Sequence, residues 1–81
     1  MQTYGNRITV NHNIMLGKPV IAGTRITVEN ILRKLAEGVS FNTLLEMYPK
    51  LEATDIFACL QFAADVIANE ETLNLGKVSR F

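Results

Sequence analysis

Apolar and polar positions follow two regimes along this chain, and they meet near residue 27. Before that point the apolar residues come in short β-branched pieces punctuated by glycine, proline and asparagine. Ile8-Thr9-Val10 alternates and is β-branched, which predicts a short strand. Asn11-His12-Asn13 predicts a turn, because asparagine tolerates tight local conformations. Gly17-Lys18-Pro19 breaks the chain again, and Val20-Ile21 predicts a second extended pair. Pro19 suits a strand start, since it donates no backbone hydrogen bond. Gly23-Thr24-Arg25 predicts a tight turn into Ile26.

After residue 27 the period becomes helical. Thr27 is an N-cap candidate, its hydroxyl able to accept from a free N–H of the first turn. Val28, Ile31, Leu32, Leu35 and Ala36 then form one apolar face, and Gly38 ends the helix by accepting a left-handed conformation. Ser40 caps a second helix with Phe41, Leu44, Leu45 and Tyr48 on one face. Pro49 stops it at Tyr48 or just before. A third helix is expected to start between residues 52 and 55, where Glu52 and Asp55 complement the positive end of the helix dipole. Ile56, Leu60, Ala63, Ala64 and Ile67 make its expected main stripe, widened by Phe57, Phe62 and Val66. So much apolar circumference predicts packing beyond the chain's own neighbours, and a homodimer is expected. The helix is expected to fade near Asn69. This gives one domain over residues 1–68 and a polar C-terminal tail over residues 69–81, disordered or ordering on a partner.

Composition narrows the class. The chain has 81 residues, 48% apolar and 20% charged, the balance of one small globular domain. No run approaches the roughly 20 apolar residues of a membrane span, and the N-terminus lacks a secretory pattern, so a cytoplasmic location is expected. One cysteine and one histidine make neither an internal disulfide nor a zinc site. No triad, metal set or nucleotide loop is legible, so no cofactor, no metal and no enzymatic activity are expected. The zero net charge conceals a gradient. Residues 1–34 carry Arg7, Lys18, Arg25, Arg33 and Lys34 against Glu29 alone. Residues 35–76 carry Lys50 against Glu37, Glu46, Glu52, Asp55, Asp65, Glu70 and Glu71. A polyanion would favour the first part and a basic partner the second.

The most specific stretch is Gly17-Lys18-Pro19-Val20-Ile21-Ala22-Gly23-Thr24-Arg25-Ile26-Thr27-Val28, followed by Gly38-Val39-Ser40, Tyr48-Pro49-Lys50-Leu51 and Ala63-Ala64. Over residues 8–66 it resembles the domain of unknown function 433 family. The resemblance implies a mainly α fold, a trihelical homeodomain-like helix-turn-helix bundle with short N-terminal β-strands. It also implies a VapB-like antitoxin of a bacterial or archaeal toxin–antitoxin operon, paired with a PIN-like ribonuclease toxin. Four positions depart from the family pattern: Leu16 replaces the first of two glycines, Ala22 a frequent basic residue, His12 a proline and Glu52 a Ser/Thr cap.

Two functional classes follow. In a dimeric helix-turn-helix repressor, Lys50, Thr54, Ala58 and Gln61 lie along the front of the third helix, where recognition helices meet operator DNA. Gln61 could pair with adenine and Lys50 hold a phosphate, with Arg33, Lys34, Arg7 and Lys18 compensating only if folding or dimerisation places them beside the third helix. Against this, residues 52–71 contain no lysine or arginine, and an acidic helix repels the DNA backbone. In the alternative the chain is a protein-interaction module that neutralises the toxin with little DNA affinity, the tail being the docking segment. Within the motif, Gly17, Pro19 and Gly23 are read as turn formers. Arg25 is a phosphate or carboxylate contact or, as the favoured expectation, a tie from Gly23-Thr24-Arg25 to an acidic residue of the third helix such as Asp55. His12 is read as a solvated turn residue, Tyr48 as a core or corner residue, Cys59 as a small buried hydrophobe, and Met15 and Met47 as core gap fillers.

Overall fold

The computed structural model describes residues 5–78, with side chains described from 6 to 69. A short 3-10 turn, Gly5–Arg7, leads into strand β1, Ile8–Thr9. A second 3-10 turn, Met15–Gly17, precedes strand β2, Val20–Ile21. Helices α1 (Val28–Ala36), α2 (Phe41–Met47) and α3 (Ala53–Val78) follow. The two strands pair antiparallel, Ile8 opposite Ile21 and Thr9 opposite Val20. The fold is a small trihelical bundle carrying a two-stranded sheet, mainly helical as expected.

Local chemistry accounts for most boundaries. Thr27 accepts from the Asn30 N–H at 3.0 Å and caps α1, and Ser40 accepts from the Thr43 N–H at 3.1 Å and caps α2. Gly38, at φ 96°, follows the end of α1 in the left-handed conformation. Two β-turns set the corners of the fold. The Thr24 N–H donates to the Ile21 carbonyl at 3.0 Å across a turn with Gly23 at φ 78°, a type II position that favours glycine. The Leu51 N–H donates to the Tyr48 carbonyl at 2.9 Å, with Pro49 in the second position, where its fixed φ fits.

The core is drawn from every layer: Ile8 of β1, Ile21 of β2, Val28 and Ile31 of α1, Leu44 of α2, and Ile56 and Cys59 of α3, with Leu51 between the helices. Burial of each such aliphatic side chain contributes about 1.5–3 kcal/mol. Several expectations change here. The buried face of α3 runs through Asp55, Ile56, Ala58 and Cys59, with Phe62 packed beside it. Leu60, Ala64 and Ile67, expected inside, are exposed, so the helix is rotated from the expected orientation. Met15 and Met47 are exposed as well, not core fillers. Helix α3 continues to Val78, past the end expected near Asn69. The side chains of the expected docking tail lie outside the described residues from 70 onward, as does the backbone of residues 79–81.

The Met15–Gly17 turn is left-handed throughout, with Met15 at φ 50°, Leu16 at φ 57° and Gly17 at φ 84°. A residue with a Cβ costs roughly 1–2 kcal/mol in that region. The departure from glycine at position 16 therefore carries backbone strain, while Leu16 is 92% exposed and gains no burial. Leu16→Gly should raise stability by about 0.5–1 kcal/mol, the strain released less the extra freedom of the unfolded chain. A higher urea midpoint with an unchanged denaturant slope is the expected result; an unchanged or lower midpoint would refute the strain.

Candidate interaction surfaces

The start of α3 is held by charge. Asp55, 4% exposed, is the buried charged residue among the described residues. Its Oδ1 accepts from Arg7 Nη1 at 2.8 Å, and its Oδ2 accepts from the Glu52 backbone N–H at 2.9 Å. The second bond is half of a capping box, satisfying a donor that the helix leaves open. Arg7 Nη1 also reaches Glu52 Oε1 at 3.4 Å. The Arg7 guanidinium is held above its ordinary pKa, chiefly by the hydrogen bond to Asp55. Arg7, and not Arg25, is the partner of Asp55. The reason is position: Arg7 immediately precedes β1, whose Ile8 is in the core cluster with Ile56 of α3, whereas Arg25 lies beyond the Gly23 turn and is exposed. Below Asp55, Cys59 is fully buried, and burial, reinforced by the Asp55 charge, pushes its thiol up to about 12.

Two grooves flank this core. The first holds about 820 Å³ and lies between the Gly23-Thr24-Arg25 turn and the Tyr48-Pro49-Lys50 turn. Ile14, Ile26 and Pro49 contribute its apolar lining, and Arg25 and Lys50 its charge. Neither cation makes an ion pair among the described residues. Thr24 is committed, donating to the Ile21 carbonyl at 2.8 Å and accepting from the Ile26 N–H at 2.9 Å. Tyr48 accepts through its hydroxyl from Asn30 Nδ2 at 2.8 Å, as a corner residue would. The second groove holds about 400 Å³ and lies between α1 and α3. Leu32, Phe62, Ala63, Val66 and Ile67 make it nearly all apolar, with Glu29 and Arg33 at its border. It continues onto the exposed face of α3, where Phe57 is 59% and Ile67 65% exposed. The Phe57 ring is steadied edge-on by Phe41, with centroids 5.3 Å apart. No residue lines both grooves.

The residues expected to read DNA do not form one surface. Lys50 is exposed in the first groove and Thr54 is exposed in the first turn of α3. Ala58 is 3% exposed and belongs to the core, because the α3 rotation set by Asp55 turns it inward. Gln61 is half-buried and its Nε2 donates to Asp65 Oδ1 at 3.3 Å. Arg33 borders the second groove and is paired with Glu29 at 3.0 Å, while Lys34 is half-buried on α1. Of the motif residues, Gly17 and Gly23 hold positive φ angles, and Lys18 pairs with Glu29 at 3.1 Å. The Pro19 carbonyl accepts from the Val28 N–H at 3.0 Å. His12 is exposed, its Nδ1 beside Gly17. Sequence reasoning missed the pairing of Arg7 with Asp55 and the partnership of Arg25 with Lys50. The first left no spacing signal; the second was signalled only by two glycine- or proline-containing turns each followed by a cation.

Among the described residues no group of three or more His, Cys, Asp or Glu side chains could hold a metal ion, and no helix is long and apolar enough to cross a membrane. Residues 8–63 match the family described as "Protein of unknown function (DUF433)". No curated protein matches the sequence. Among solved structures, the chain is similar to a DUF433 member protein from Anabaena variabilis ATCC 29413, with a TM-score of 0.74 and 25% identity. That similarity covers 83% of this chain and 66% of the other, slightly under two thirds of its length.

The Arg7 contact yields a stability prediction. Arg7→Ala strands a nearly buried carboxylate with one remaining hydrogen bond, and should lower the urea midpoint. An unchanged midpoint would mean that solvent screens the pair fully. A second prediction concerns Cys59. With the thiol held far above its ordinary range and buried, it should resist a thiol reagent near neutral pH until urea unfolds the chain. Rapid labelling of the folded protein would contradict this burial.

Proposed function

Since the chain belongs to the DUF433 family, whose name assigns no activity, we propose from its surfaces that it is a protein-interaction module of the antitoxin type, neutralising a PIN-like ribonuclease toxin. The observation that carries the reading is the outer face of α3. Phe57, Leu60 and Ile67 present apolar side chains to solvent, and the helix bears no lysine or arginine from residue 53 to 69. A solvent-facing stripe of this kind, running into an apolar groove, marks a protein interface. Ile67 alone would gain on the order of 1 kcal/mol by covering the surface it now exposes. The resemblance to antitoxins supports the class of partner, and the exposed apolar face of α3 supports this part of the surface as its contact.

A second reading, the DNA-binding regulator, is favoured by one observation: Lys50 is exposed at the turn joining α2 to α3, and Arg25, just before α1, faces the same groove, both without ion pairs among the described residues. In a helix-turn-helix protein, that turn sits close to the DNA backbone. The acidic α3 weighs against it, since phosphate contacts supply most non-specific affinity. A homodimer through the α3 face would serve either reading, because an isologous contact covers the same patch on both copies.

The test uses Leu60→Glu and Ile67→Glu, both at exposed positions. Each should leave helicity and the urea midpoint unchanged while removing co-purification with the ribonuclease encoded beside the gene. Light scattering on the same variants reads the dimer, which should dissociate to monomer if the face is shared between copies. Retained complex formation by both variants would refute the α3 face. Salt-sensitive, sequence-specific binding to the upstream DNA in fluorescence anisotropy would move the assignment to the second reading.

A further inference from the structure

Six basic side chains lie between residues 6 and 69. Arg7, Lys18 and Arg33 are ion-paired with acidic neighbours. Arg25, Lys34 and Lys50 make no ion pair among the described residues, and two of these three, Arg25 and Lys50, line one groove. They come from different parts of the chain, each presented by a turn fixed by a backbone hydrogen bond, at Gly23 and at Pro49. The groove between them exposes Ile14, Ile26 and Pro49, and the Thr24 hydroxyl is already used in both directions. Charged recognition therefore falls to the two cations, beside the Thr9 and Tyr48 hydroxyls on the lining, and apolar recognition to the floor.

We propose that this groove binds a short acidic–apolar peptide segment of a partner protein, a carboxylate meeting Arg25 and Lys50 and an adjacent aliphatic side chain lying on Ile14, Ile26 and Pro49. Charge decides the class of occupant. In sequence, Lys50 stands between Glu46 and Glu52, and residues 35–76 hold seven acidic groups against it, although Glu52 and Asp55 are paired with Arg7. A polyanion would bring many charges into that negative field, whereas one carboxylate meets the two cations and little else. The guanidinium fork of Arg25 suits a carboxylate in two-point contact. The inference rests on the proposed function only in taking the partner to be a protein, and it uses a different surface.

The experiment is amide NMR on the uniformly labelled full chain. The probe is an acetylated, amidated peptide of sequence Gly-Leu-Glu-Leu-Gly-Ser; controls are its Gln counterpart and a short DNA duplex at physiological salt. The Glu peptide should shift the amides of Gly23, Thr24, Arg25, Lys50 and Leu51. The Gln peptide should bind about tenfold more weakly, since charge-assisted hydrogen bonds are roughly twice as strong as neutral ones. The double variant Arg25→Gln, Lys50→Gln, exposed at both sites, should lose the response and keep its helicity. Absence of shifts at these amides, equal binding of the Glu and Gln peptides, or an unchanged double variant would overturn the proposal. So would stronger perturbation of the same amides by the duplex, which would assign the groove to nucleic acid. Ile67→Glu should retain the peptide response, so that failure of the α3 face and failure of this groove read out separately.

Discussion

The contact on which the arrangement turns is the Arg7–Asp55 pair, 2.8 Å long and closed on its far side by the Glu52 N–H. A carboxylate that is 4% exposed requires a partner, and here the partner comes from the residue just before β1. The pair thereby joins the strand arm to the first turn of α3. Once Asp55 faces inward, Ile56, Ala58 and Cys59 follow it into the core, and Leu60, Ala64 and Ile67 turn to solvent. The exposed apolar face is thus a consequence of where one buried charge found its partner. Replacing that charge by an apolar residue could serve stability as well, which makes the orientation of α3 the clearer effect of the pair.

The groove of Arg25 and Lys50 has a different origin. Both residues belong to turns whose geometry was readable from Gly23 and Pro49, and both turns are closed by backbone hydrogen bonds. Turns of this kind present side chains without burying them, because their backbone groups are satisfied locally. Thr24 stiffens one of them by bonding on both sides of its hydroxyl. The cations are therefore displayed by rigid corners rather than by helix faces, and helical periodicity had no means of grouping them.

This separates what the sequence disclosed from what it hid. Thr27, Ser40, Gly38 and Pro49 act within a few residues of where they stand, and each boundary they mark is found in the structure. The strand pair was legible for the same reason. The face of α3 was not. Phe57, Leu60, Phe62, Val66 and Ile67 spread apolar character over much of its circumference, so periodicity fixed a helix without fixing its rotation. The rotation depends on Arg7, which is 48 residues away from Asp55. The same long-range choice removed Ala58 from the surface and left Arg25 without the acidic neighbour expected for it. Position 16 shows the opposite case. The glycine preference there has a local cause, the left-handed turn, and only the backbone angles reveal that Leu16 works against it.

The two surfaces proposed for recognition are of unlike chemistry and sit on one small bundle. One is apolar and built on α3 and α1; the other is a cationic groove with an apolar floor, and no residue lines both. Their separation means that occupancy of one does not sterically exclude occupancy of the other by contact with the same side chains. A single partner long enough to span both would gain from the second contact as an intramolecular event, with affinity exceeding that of either surface alone. The acidic charge of residues 35–76 sets the limit on what such a partner can be. A polyanion meets repulsion along α3, while a partner with a mixed surface can offer an acidic segment to the cationic groove and an apolar patch to the helix. That combination is what a folded protein, rather than a nucleic acid, supplies.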